Sequence, residues 1–214
     1  MIDQVWEDLF STRSWGKYPS EYLIRFIARN FYSVPSRTDV KILELGPGPG
    51  ANLWFCAREG FSIYGIEGSP TAVNQCLIRL NQEVPGWSGQ VVCGDVQEAA
   101  FSAAMFDAVI DHECLYCLDY DGALVAIESA HSMLKPRGKI FSRTFASGTI
   151  GEGTGEQVSA NYWRCNVGPL AGKGAARFTA ESDIPKLFPA EKWLVTSTLF
   201  ALYSIKGGGL LRSG

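Results

Sequence analysis

The sequence predicts an α/β fold built on a doubly wound, mostly parallel sheet. Three observations carry this. Aliphatic and β-branched runs at 40–45, 61–66, 90–93, 106–110 and 139–145 alternate with helix-length amphipathic stretches, the pattern of parallel strands joined by crossover helices on both faces. The first run passes straight into a glycine turn, Gly46-Pro-Gly-Pro-Gly50, as a strand does when it hands over to a helix at a ligand-binding edge. Acidic residues then recur where the first four strands should end: Glu44, Glu67, Asp95 and Asp111.

The chain has 214 residues, enough for one sizeable core, and its 46% apolar and 19% charged residues are ordinary for a globular domain. We read it as one domain in three parts: a helical lid or cap over 1–35, a core over 40–145, and a loop-rich part with a short helix and final strand over 146–214. A net charge of −3 argues against a nucleic-acid partner, which needs a concentrated basic surface. The start is acidic and lacks an apolar leader, and no run approaches the ~20 apolar residues of a membrane span, so a cytoplasmic protein is expected. The six cysteines lie mostly in apolar segments. Cys114 and Cys117 have metal-like spacing, but no second pair or nearby histidine completes a tetrahedral set, and no metal is expected.

Taken in order, Ser20 caps a helix whose apolar face is Leu23, Ile27 and Phe31, with Glu21 and Arg25 paired outside. The aromatic stretch before it offers Trp15 and Tyr18 to a ligand mouth. A helix over 51–59 stops at Gly60, and one over 70–83 opens on Pro70, a favourable first-turn residue. Residues 97–104 read as a short helical or irregular piece. A helix over 122–134 ends at Lys135-Pro-Arg-Gly138, a turn no helix crosses, with the fifth strand beginning at 139. The Gly/Ser/Thr-rich stretch 147–155 reads as a mobile loop, 179–188 as a short helix, and 193–205 as a long strand followed by a turn at 207–209.

The turn satisfies a permissive dinucleotide pattern, but Pro47 and Pro49 have no N–H to offer a diphosphate, and Glu44 would repel one while attracting a cation. A cofactor with an adenosine end and a cationic end fits better. Glu67 can accept from ribose hydroxyls, and Asp95 from an adenine amino group with Val96 donating its amide.

On these residues the chain resembles the class I S-adenosylmethionine-dependent methyltransferases. Glu44-Leu-Gly-Pro-Gly-Pro-Gly50 is similar to their glycine motif, Glu67 to their ribose acid, Gly94-Asp95-Val96 to their adenine motif, and 106–111 and 134–138 to their fourth strand and the turn before the fifth. The resemblance implies a Rossmann-like fold, S-adenosylmethionine as cofactor, and a binding set of Glu44, Gly46, Pro47, Gly48, Asn52, Glu67, Gly68, Ser69, Asp95, Val96, Asp111 and Tyr18. The family ends with a seventh strand for which no residues remain, so strand seven is expected to be missing from this chain. His112 is expected as general base, with Asp111 beside it. Tyr116, Tyr162, Trp163 and the glycine-rich stretch are expected around the acceptor, with Arg143 and Arg164 available to an anionic one. The expected reaction is methylation of a small molecule, most readily at oxygen, by a monomer or homodimer. N-methylation and a non-catalytic cofactor-binding module are the alternatives.

Overall fold

The computed structural model describes residues 4–201. Two helices precede the sheet, α1 (Gln4–Thr12) and α2 (Glu21–Phe31). The core follows as β1 (Lys41–Leu45), α3 (Ala51–Arg58), β2 (Ser62–Glu67), α4 (Pro70–Glu83), β3 (Gly89–Cys93), β4 (Phe106–His112), α5 (Tyr120–Met133) and β5 (Leu134–Arg143). The last part holds β6 (Glu156–Ser159), β7 (Tyr162–Arg164), β8 (Ala176–Arg177) and the one-turn α6 (Ile184–Leu187).

The five core strands form a sheet in the order β3-β2-β1-β4-β5, every pair parallel. The order reverses beside β1, and that switch point is where open α/β sheets bind ligands, at the carboxyl ends of the strands. Alternation along β1 sorts the core into two layers. Ile42 faces α2, α3 and α4, packing with Leu23, Ile27, Leu53, Cys56 and Leu80. Leu43 and Leu45 face α5, packing with Val109, Ala123, Ala126 and Met133. The helix starts are set locally: the Ser20, Ser69 and Asp119 side chains each accept the amide three residues on, from Leu23, Ala72 and Gly122.

The structure departs from the expectations at five places. The amphipathic helix α1 was not anticipated. The Lys135–Gly138 turn does not precede β5 but lies inside it, as a bulge: Phe106 pairs with Leu134, yet Ala108 pairs with Lys139, and Arg137 takes φ 67°. The glycine-rich stretch forms closed turns, with Thr149, Glu152 and Thr154 amides donating to Ala146, Thr149 and Gly151 carbonyls. It leads into a small antiparallel sheet, β6-β7-β8, that was also not foreseen. The predicted strand over 193–205 is not formed in its described portion. Residues 194–201 have no regular structure, and Leu194 is 86% exposed. Among the described residues β5 pairs with β4 alone, so this stretch does not add to the free edge of β5, and β propensity by itself does not make a strand. Residues 202–205 and the turn expected at 207–209 lie outside the described residues.

Candidate active site

The glycine turn closes on itself. Gly46, Gly48 and Gly50 sit at φ 59°, 53° and 85°, where side chains are strained. A Cβ at Gly46 would lie 2.5 Å from the Cys114 sulfur, and one at Gly50 2.4 Å from that of Cys76, so the turn is wedged between the half-buried Cys114 and the buried Cys76. Each glycine amide already has an acceptor: Gly46 N–H donates to the Ile66 carbonyl (2.8 Å), Gly48 N–H to Glu67 Oε2 (2.8 Å) and Gly50 N–H to the Pro47 carbonyl (3.0 Å). With prolines at 47 and 49, the turn has no amide left for a phosphate.

Glu44, near the end of β1, is 1% exposed. Asn52, in the first turn of α3, donates to its Oε1 at 2.6 Å, while Oε2 has no hydrogen-bond partner. Burial pushes this carboxyl up to about 8, with the Glu67 and Asp111 charges adding to the rise and Asn52 opposing it. An unpartnered buried carboxylate oxygen is a strong acceptor for a cationic donor.

Glu67 ends β2 with its Oε1 accepting the Ser69 amide (2.8 Å) and its Oε2 that of Gly48. Burial raises its pKa and those two amides restrain it. Each oxygen keeps a lone pair for a ligand hydroxyl. Gly68 links it to Ser69, the cap of α4. Asp95 follows β3, its Oδ1 accepting the Gln97 amide (3.0 Å), and Val96 packs on the α5 layer.

The end of β4 splits between the two faces of the sheet. Asp111 is fully buried on the α5 side: Oδ1 accepts the Cys114 and Leu115 amides (3.0 Å each) and Oδ2 the Ser142 hydroxyl (2.6 Å). Both oxygens thus fix the 3-10 turn Leu115–Cys117 and β5 rather than standing open to a ligand. Burial raises its pKa, against those bonds and the charge of Arg177. His112 points the other way, stacked on Phe141, with Nε2 3.0 Å from the Ser20 hydroxyl and 3.2 Å from Arg143 Nη1. A guanidinium only donates, so Nε2 is the acceptor and Nδ1 carries the proton. Burial and Arg143 lower its pKa, with Glu113 opposing, which leaves the imidazole neutral at pH 7. Glu113 itself is held at φ 61° and pairs with Arg143 at 3.4 Å.

Glu44, Gly46, Pro47, Gly48, Asn52, Glu67, Gly68 and Ser69 therefore converge around the ends of β1 and β2. Tyr18 does not join them. It is 76% exposed and meets Trp54, two residues beyond Asn52 and hence on another side of α3. Tyr116 is buried against Phe145, Tyr162 donates its hydroxyl to the Cys117 carbonyl (2.7 Å), and Trp163 packs in the same cluster. Arg164 pairs with Glu156 on the surface. Two residues were missed. Arg177, 3% exposed, ties β8 to the Leu115 and Leu118 carbonyls; a lone arginine in a glycine-rich context gives no signal of this. Glu7 on α1 accepts from the Ser69 and Thr71 hydroxyls; the apolar spacing of Trp6, Leu9 and Phe10 would have revealed its helix.

A doubly wound sheet with a phosphate-less glycine turn and acids at its strand ends defines a Rossmann-like nucleoside-cofactor domain. The comparisons sharpen this. Residues 42–138 match the family described as a methyltransferase domain. No curated protein sequence matches. Among solved structures, an S-adenosylmethionine-dependent methyltransferase from Methanosarcina mazei is 17% identical, with TM-score 0.61 over 76% of this chain and 81% of that one. The 1,6-didemethyltoxoflavin-N1-methyltransferase of Burkholderia thailandensis, solved with bound S-adenosylhomocysteine, is 18% identical, with TM-score 0.57 over 78% and 64%. The [4+2]-cyclase SpnF is 17% identical, with TM-score 0.55 over 78% and 54%. The chain spans between 48% and 56% of the length of three other solved proteins it matches. Residues 42–138 thus match a methyltransferase-domain model, and the structural neighbours share the Rossmann-like fold of that stretch.

The side chains fit S-adenosylmethionine, the cofactor that the resemblance implies. The unpartnered Glu44 Oε2 suits an ammonium, and the free lone pairs of Glu67 suit a diol.

Proposed function

We propose that the protein transfers the methyl group of S-adenosylmethionine to a small-molecule acceptor, most readily at oxygen. The observation that carries this is the closed amide inventory of the glycine turn beside an unpartnered buried carboxylate oxygen: the site is built against phosphate and for a cation. When bound, the cofactor supplies an electrophilic methyl group and its leaving sulfide. Glu44 and Asn52 would hold the amino-acid end, Glu67 the ribose, and Asp95 with Val96 the adenine, while Gly46, Pro47 and Gly48 allow close approach. These contacts provide proximity and alignment. Asp111 acts as a positioning residue for the turn that carries Tyr116. His112 serves as general base for a hydroxyl once its Nε2 is released from Ser20 and Arg143.

That double engagement of Nε2 also favours a second reading, methylation at nitrogen, where the acceptor brings its own lone pair and needs less base assistance. The N1-methyltransferase among the structural neighbours is in keeping with it, and the cyclase neighbour shows that the fold alone does not fix the reaction. The net charge of −3 favours a metabolite over nucleic acid as acceptor, and we place the reaction in a cytoplasmic monomer or homodimer. The test is a panel of hydroxylated and amine metabolites assayed for S-adenosylhomocysteine release. Turnover confined to hydroxyl acceptors supports the first reading and turnover confined to amines the second; cofactor affinity with no turnover across the panel would leave a binding module.

A further inference from the structure

The helix α1 contacts three separate parts of the ligand-binding edge. Glu7 accepts from the Ser69 and Thr71 hydroxyls and, at 3.3 Å, from the Thr71 amide, so its carboxylate sits on the first turn of α4. A helix N-terminus and two hydroxyls are a favourable seat for a carboxylate. Phe10 lies over the glycine turn, where a Cβ on Gly48 would meet its ring at 3.3 Å. Its carbonyl accepts from Gln75 Nε2 at 3.0 Å, which ties the end of α1 to the middle of α4. Trp6 reaches to the far side of the cleft and meets Tyr116, in the 3-10 turn after β4, edge-on at 6.4 Å. Leu9 and Phe10 are 5% and 6% exposed, so one face of α1 is fully committed to this contact.

Two of the residues that receive α1 also build the ribose wall. Ser69 donates its amide to Glu67 and its hydroxyl to Glu7, and Gly48 donates to Glu67 and lies under Phe10. The seat brings a second carboxylate towards Glu67, whose pKa the Glu7 charge pushes further up.

We infer that α1 is a gate across the cofactor cleft, latched by the Glu7 carboxylate on Ser69 and Thr71. The inference rests on the S-adenosylmethionine reading of the site. The ligand enters and leaves when the latch opens and Phe10 lifts from Gly48, so the closed fraction of the free protein limits the association rate. Trp6 and Trp15, which pack with Phe10, move with the gate and report on it.

Stopped-flow tryptophan fluorescence with S-adenosylhomocysteine tests this on the full chain. Glu7→Ala removes the latch and should raise the association and dissociation rates together, by about tenfold. Thr71→Val removes one of its partners and should give a smaller rise in the same direction. Circular dichroism spectra matching the wild type confirm that both variants fold. Association rates within twofold of wild type in Glu7→Ala would overturn the gate, and so would slower association, which would make Glu7 a ligand contact. Failure of wild type and variants alike to bind would remove the cofactor reading and the gate with it.

Discussion

Replacing Glu44 by Gln should stabilise the protein and weaken cofactor binding, and the size of the first effect follows from the buried carboxyl. The group titrates near 4.5 in the unfolded chain and at about 8 in the folded one, because burial disfavours its charge. The folded state then holds the proton more tightly. The contribution of Glu44 is fully present below the unfolded value, is lost as pH rises towards the folded one, and levels off above it. The loss is about 1.4 kcal/mol per pH step in that interval, or about 3 kcal/mol between pH 5.5 and pH 8. Glutamine matches the protonated form in shape and can still accept from Asn52, so its stability should lack this slope. Urea denaturation of both proteins across the range measures it. The difference should grow by about 3 kcal/mol towards high pH in favour of Glu44→Gln; two parallel curves would refute the buried, proton-holding carboxyl. The same linkage acts on binding. A cationic partner must draw off the proton, so wild-type affinity should rise about tenfold per pH step up to the folded value, while Glu44→Gln stays weak and nearly flat.

Three further outcomes test neighbouring parts of the site. His112→Gln should lower kcat on a hydroxyl acceptor by about 10²–10³-fold while leaving S-adenosylhomocysteine affinity within a few-fold; full turnover would remove the base. Gly46→Ala, with its Cβ 2.5 Å from the Cys114 sulfur at φ 59°, should cost about 2–4 kcal/mol. Adding Cys114→Ala removes the sulfur but keeps a Cβ 2.9 Å away and the backbone strain, so it should recover about half, and a double variant no better than the single would contradict the wedge. Asp111→Asn keeps the shape but leaves Arg177 with less compensating charge at 3% exposure, and should cost about 2–4 kcal/mol in urea denaturation; unchanged stability would contradict the positioning role.

The core was legible because its signals are local. Hydrophobic period, the Ser20 cap, Pro70 and the glycine turn each act within a few residues, and the acids at strand ends follow from strand boundaries. What escaped depends on tertiary partners. Nothing near Asp111 in sequence shows that it faces the α5 layer and engages Ser142, whereas His112 faces Ser20 and Arg143; that division follows from the alternation of β4 within a sheet already assembled. The small sheet β6-β7-β8 is held by Arg177 and the Tyr162 hydroxyl against the turn after β4, contacts that glycine-rich composition conceals. The stretch 193–201 shows the converse: strong β propensity gives no strand where no ladder bonds form.

The central claim, a cleft made for a cationic, phosphate-free adenosine cofactor, is tested most directly by titration calorimetry of the full chain with S-adenosylmethionine and, separately, with NAD. The account predicts one-to-one binding of S-adenosylmethionine that strengthens from pH 6 to pH 8, and no heat with NAD. Saturable NAD binding with no response to S-adenosylmethionine would contradict it.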